Sequence, residues 1–210
     1  MPAFKTAILE KTTDVQRRLS DFGLTTDQFV AIGRVARTWA EDASPLMPLN
    51  APGMLAYIFG VQELRQQLVN ETWVVDRSRG IEATINRDLG MRVAYQNVDR
   101  ACDPHLAPNP RSAKGGGAES ICGPTLFEHA GIEPGPLVEM QDDSFSTYYV
   151  MVGEDGSIEL SHPIIKNGCY ARFNERIFIY SPNRDWESKI DLETSPVEDF
   201  EIPISFKEQR

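Results

Sequence analysis

Cys102, His105, Cys122 and His129 together supply two thiols and two imidazoles, the donor set of a tetrahedral zinc site. They fall in a Gly/Pro-rich stretch, where a structural ion would help most. Their spacing is C-x2-H, sixteen residues, then C-x6-H. The second arm fits none of the usual ligand spacings, so the sequence predicts no metal and no other cofactor. Lys114-Gly115-Gly116-Gly117 offers a lysine beside backbone N–H groups, but follows no clear strand and lacks the order of a phosphate-binding loop. Adjacent carboxylates at Asp142-Asp143, Glu154-Asp155 and Glu198-Asp199 would serve acid/base work only if one were desolvated, which turn positions do not provide. His162-Pro163 reads as a core or edge histidine in a strand. No nucleophile elbow, H-E-x-x-H or G-x-G-x-x-G is present, so the expectation is a binding protein rather than an enzyme, with an enzyme that has no recognisable motif as an alternative reading.

Charge carries more information than any motif. The 210 residues have a net charge of −10, unevenly spread. Residues 1–105 hold 12 Lys and Arg against 13 Asp and Glu, whereas residues 106–210 hold 9 against 18. The extreme is Asp185 to Glu201, where Asp185, Glu187, Asp191, Glu193, Glu198, Asp199 and Glu201 face one base, Lys189. Such a field repels phosphate backbones and attracts basic surfaces. The expected partner is therefore a basic host protein or nucleoprotein complex. Its contacts would come from these carboxylates, with Tyr148, Tyr149, Trp186 and Phe200 as aromatic anchors. An opposing reading uses Arg77, Arg79, Arg87, Arg92, Arg100, Arg111 and Lys114, seven bases among four acids, as a direct RNA or DNA contact.

The elements that must carry these residues divide into thirds. Ile8, Leu9, Val15, Leu19 and Phe22 recur at helical spacing, and Gly23 stands at a C-terminal cap position. Thr25 to Gln28 forms a capping box opening a second helix. Pro45, Pro48 and Pro52 end it, and a third helix runs to about Asn70, with Gly60 weakening it. Ile81–Ile85 and Met91–Tyr95 alternate as strands around an Asn86–Gly90 loop, and residues 100–124 form an irregular loop. A short helix is expected from Thr125 to Gly131. Tyr148–Val152, Ile158–Ile164 and Cys169–Tyr180 supply further strands, the last two joined at Asn167-Gly168.

The expected fold is α+β in a single domain over 1–210. A helical part at 1–72 would pack on an antiparallel sheet formed mainly by the C-terminal half, within a β region at 73–184, followed by an acidic segment at 185–210. The composition, 41% hydrophobic and 25% charged, is that of a globular chain. No apolar run matches a membrane span or a secretory leader, and the three cysteines are odd in number, which predicts a cytoplasmic protein with reduced thiols.

Ala94-Tyr95-Gln96-Asn97-Val98-Asp99-Arg100-Ala101-Cys102-Asp103-Pro104 and Tyr149-Val150-Met151-Val152-Gly153-Glu154-Asp155-Gly156 resemble segments of accessory proteins carried by proteobacterial phages, plasmids and integrative elements. The resemblance covers about Ile81 to Gly168 and brings no site residues with it. It implies membership of a pool that includes anti-CRISPR and anti-restriction inhibitors, which engage nucleic-acid-handling host machinery through acidic surfaces.

Overall fold

The computed structural model describes residues 6–112, 115, 116, 118, 122 and 145–182. The elements in chain order are β1 (Ala7–Leu9), α1 (Thr12–Asp21), α2 (Thr26–Glu41), α3 (Ala51–Leu68), β2 (Trp73–Asp76), β3 (Ala83–Asn86), β4 (Met91–Asn97), β5 (Ser146–Val152), β6 (Ile158–Lys166) and β7 (Cys169–Tyr180). A short 3-10 turn, Ser78–Gly80, separates β2 from β3. The architecture is α+β: three helices in the N-terminal part lie on a seven-stranded sheet of order β1-β7-β6-β5-β4-β3-β2.

Strand polarity departs from the sequence expectation. β4 and β5 run parallel from Met91↔Ser146 to Asn97↔Val152, and β1 runs parallel to β7. The sheet is mixed because β4 and β5 are not joined by a hairpin; the long connection from residue 98 to 145 returns the chain to the end of the sheet where β4 began. Ile8 and Leu9 are a second correction. Their spacing fits a helix, yet they form an edge strand on Glu175–Ile177, and the helix begins only at Thr12.

The helices assemble as their patterns require. The capping box at Thr25 and Gln28 forms, with the Thr25 N–H donating to Gln28 Oε1 at 2.8 Å. α2 and α3 bind each other partly through Trp39 stacked on Phe59, ring centroids 3.6 Å apart. Gly33 and Gly60 let both helices come down onto the sheet. A Cβ at Gly33 would enter the Ile158 side chain, and one at Gly60 would enter the Tyr95 ring. Gly60 is thus a packing residue, not a weak point in the helix. One face of the sheet, through Val93, Tyr95, Val150, Val152, Leu160 and Ile177, joins Phe29, Ile32 and Leu64 of the helices in the main core. The other face has its own apolar cluster of Ala94, Tyr149, Met151, Ile165, Phe173 and Phe178, with Ala118 and Cys122 packed in.

The Asn167-Gly168 turn joins β6 to β7 with φ of 55° and 72°, as the hairpin signal predicts. The Asn86–Gly90 loop likewise joins β3 to β4, where the Leu89 N–H donates to Asn86 Oδ1 at 3.1 Å. The helix expected at Thr125–Gly131 lies outside the described residues. Among the described residues, no helix is long and apolar enough to cross a membrane.

Candidate functional site

Asn97, Val152, Ile158 and Tyr180 stand in a row across one end of the sheet. There the C-terminal ends of the parallel pair β4 and β5 meet the end of α2 and the start of α3. Two adjoining cavities open at this rim, of about 290 and 530 Å³, sharing Pro52, Gly53, Asn97 and Arg111. The smaller is walled by Ala36, Ala40, Ala56 and Val152, and the larger by Leu49, Met54, Tyr57 and Ile58. Asn97 fixes the floor: its Oδ1 accepts from the Tyr95 hydroxyl at 2.7 Å, and its Nδ2 donates to Gly53 O at 2.9 Å. Arg37 is held by Glu41 at 2.6 Å and Arg111 by Glu154 at 3.3 Å, so two ion pairs edge the cleft. Burial pushes the Tyr95 hydroxyl far above its ordinary range, which keeps it protonated and able to donate to Asn97. The cleft's described lining combines apolar walls with a fixed amide and two paired guanidinium groups.

Three further polar clusters are each built around a carboxylate, and in one of them Arg92 Nη1 has no hydrogen-bond partner among the described residues. Arg176 donates to both oxygens of Glu159, at 3.0 and 2.7 Å, and to Asp103 O at 2.8 Å; both side chains are almost fully buried. Glu159 also accepts from the Cys102 N–H at 2.7 Å and from Ser161 Oγ. This pair therefore ties the start of the loop after β4 to the sheet. Arg92 meets Asp76 at 2.8 Å. Burial works to raise the Asp76 carboxyl, but the Arg92 guanidinium and the Ser78 donors outweigh it and hold the carboxyl below its usual range. Under α1, Arg18 and the Tyr148 hydroxyl both donate to Glu175, at 2.9 and 2.6 Å, with His162 ring to ring against Tyr148 at 5.0 Å. Burial lowers the His162 imidazole and Glu175 opposes this more weakly, so the ring is neutral.

The residues singled out from sequence fare unequally. Tyr148 and Tyr149 are buried on opposite faces of the sheet, since both faces are covered; as docking anchors they are overturned. Asp185, Trp186, Glu187, Asp191, Glu193, Glu198, Asp199, Phe200 and Glu201 lie outside the described residues, as do Lys114 and His129. The arginine set is not a free basic face. Arg77 sits on Glu82, Arg92 on Asp76, Arg100 on Asp99 and Arg111 on Glu154, while Arg79 and Arg87 also have interactions of their own. Cys102 is a structural thiol. It donates to Ile158 O at 3.1 Å and Tyr180 O at 3.3 Å, and burial with the Glu159 carboxylate pushes it up to about 12. His105 is exposed on the loop and Cys122 is buried beneath the sheet; among the described residues no three potential ligands gather around a metal position.

Comparison with family models, with curated proteins and with solved structures gave no match.

Proposed function

We propose that this chain is a non-enzymatic, cytoplasmic acidic binding protein of the anti-CRISPR and anti-restriction kind, which inhibits a nucleic-acid-handling host defence complex by occupying its basic surface. The observation that carries the reading is where the charge sits. Residues 113–144 hold one lysine against six carboxylates, net −5, and residues 183–210 hold four bases against eight, net −4. The rest of the chain is left with −1 of the total of −10. A charge concentrated in two stretches of the sequence, with the rest of the chain near neutral, suits steering and recognition better than general solubility, for which dispersed charge suffices.

Fold geometry favours the same reading. The chain leaves the described residues toward both acidic segments at one rim: Arg111 donates to Asn97 O at 3.2 Å just before Ser112, and Tyr180 pairs with Ile158 just before Pro182. Ser112 lines the cleft, and Tyr180 stands on the same rim two strands from Val152. The direct nucleic-acid alternative is disfavoured by the carboxylates seated on Arg77, Arg92, Arg100 and Arg111.

The test is affinity capture from nuclease-treated host lysate. Wild-type protein is compared with a variant in which Asp185, Glu187, Asp191, Glu193, Glu198 and Asp199 become Asn or Gln. Capture of a basic nucleic-acid-handling complex, released by added DNA or RNA and lost in the variant, is expected. Equal capture by the neutralised variant, or direct retention of nucleic acid by the wild type, overturns the proposal.

A further inference from the structure

Residues 98–112, which follow β4, form a loop tied together at its base. There Val98 bridges Pro110, the Asp99 N–H donates to Asn109 O at 3.1 Å, and the Arg111 N–H donates to Asn97 O at 3.2 Å. Two carboxylates shape the loop from within. Asp99 Oδ1 accepts from the Arg100 and Asn109 N–H groups, both at 2.8 Å. Asp103 Oδ1 accepts from those of His105 and Leu106, at 2.8 and 2.9 Å. Through Val98, Arg111 and Ser112 the loop forms one wall of the rim cleft.

The loop rests on charge, not on apolar packing alone. Beneath it the side chains of Glu159 and Arg176 are 0% and 4% exposed. The guanidinium lies 5.6 and 4.9 Å from the ring centroids of Phe173 and Phe178. The pair makes three hydrogen bonds to loop backbone. Arg176 Nη1 donates to Asp103 O at 2.8 Å and to Leu106 O at 3.4 Å, and Glu159 Oε2 accepts from the Cys102 N–H at 2.7 Å. Cys102 itself has a φ of 58°, a left-handed conformation uncommon for a residue with a side chain. Such a conformation persists where its surroundings over-determine it. Here Glu159 fixes the Cys102 N–H, while Ile158 O and Tyr180 O receive the thiol.

A buried ion pair is a poor stabiliser, because desolvation offsets most of its attraction and a well-packed apolar pair of similar volume often does as well. An apolar pair cannot supply directed bonds to one N–H and two carbonyls of a loop. We infer that Glu159 and Arg176 are positioning residues, which hold 98–112 as a preformed wall of the cleft and keep Cys102 in its left-handed turn, with little net gain in global stability. The pair thereby fixes the backbone from which Arg111 reaches Glu154 at the cleft edge. This inference is independent of the function proposed above, since it uses only contacts made within the fold.

Local and global stability are read together on the full chain, in wild type and in a Glu159→Leu/Arg176→Met variant. Amide hydrogen exchange follows the loop and the sheet, and labelling by a small thiol reagent, mapped by mass spectrometry, follows Cys102. In the variant the Cys102, Leu106, Asn109 and Arg111 amides should exchange about tenfold faster or more, and Cys102 should label faster by a similar factor. The β4 and β5 amides should keep their wild-type rates. Should the double variant fail to fold, Arg176→Lys decides. It keeps a positive charge beside Glu159 but lacks the planar fork that also reaches the loop carbonyls, and the same local acceleration is expected. Loop amides and a Cys102 thiol that stay at wild-type rates overturn the inference. So does acceleration that spreads equally to β4 and β5, because the pair then acts on the whole fold and not on the wall.

Discussion

His162 and Arg176 show how single residues in this sheet are bound to a pH and to a partner. The His162 imidazole is held below its ordinary value near 6.5, chiefly by burial against Tyr148, so the folded state binds its proton less readily than the unfolded chain. Stability from this group is therefore complete above about pH 6.5 and is lost as pH falls below it, where the unfolded chain takes up the proton first. Melting midpoints measured from about pH 7.5 to about 5.5 should fall in the wild type and fall less in His162→Phe, which keeps the ring. Asp76, Asp99 and Asp103, held below the usual carboxylate range, act in a separate and more acidic window. Arg176 makes a different point. Removing it as Arg176→Met strands the Glu159 carboxylate in the interior and should cost about 3–5 kcal/mol in denaturant unfolding. Replacing both partners, as Glu159→Leu with Arg176→Met, should recover much of that loss. A single variant as stable as wild type would show that water reaches Glu159.

Helix, strand and turn were legible in proportion to how local their causes are. The Asn167-Gly168 turn was readable because both residues tolerate the positive φ it needs. Gly168→Val should accordingly cost about 1 kcal/mol or more in chemical denaturation. The capping box at Thr25 was equally local. Gly60 was not: its meaning lies in Tyr95 of β4, 35 positions away, and helix propensity alone reads it with the wrong sign. Gly60→Ala tests this directly. Propensity predicts a gain of about 1 kcal/mol, while the steric conflict with Tyr95 predicts a loss of about 1–3 kcal/mol. The loss is expected, and Gly60→Ala paired with Tyr95→Leu should reverse part of it. β1 was misread because three residues are too few to show alternation and its strand exists only through pairing with distant β7, whereas the β4–β5 polarity was missed for another reason. Alternation says that a residue is in a strand but not which strand lies beside it or in which direction. The cleft at the rim was invisible because its lining converges from the end of α2, the start of α3, β4, β5 and the loop after β4, with no motif in any one of them.

At the scale of the whole molecule, the proposed reading assigns recognition to two acidic stretches of the sequence, 113–144 and 183–210, while the rest of the chain is near neutral. Among the described residues, the main core draws on α1, α2, α3 and the helix-facing side of the sheet. Carboxylates that serve to bind a partner must face solvent in the free protein, and exposed charges are worth about 0–1 kcal/mol and are screened by salt. Neutralising Asp185, Glu187, Asp191, Glu193, Glu198 and Asp199 should therefore leave the melting midpoint nearly unchanged in calorimetry. Partner binding should respond in the opposite way. Between 0.1 M and 1 M salt the screening length shrinks from about 10 Å to about 3 Å, so a contact built on carboxylates weakens steeply over that range. Binding isotherms of the wild type should show that slope, and those of the neutralised variant a flatter one from a weaker starting affinity. The association rate should carry more of the change than the dissociation rate, since charges distributed along a segment act mainly on encounter. A variant with a lowered melting midpoint would place these carboxylates in the folding balance. One with wild-type affinity and slope would move recognition to the cleft, where Leu49, Met54, Tyr57 and Ile58 offer apolar contact instead.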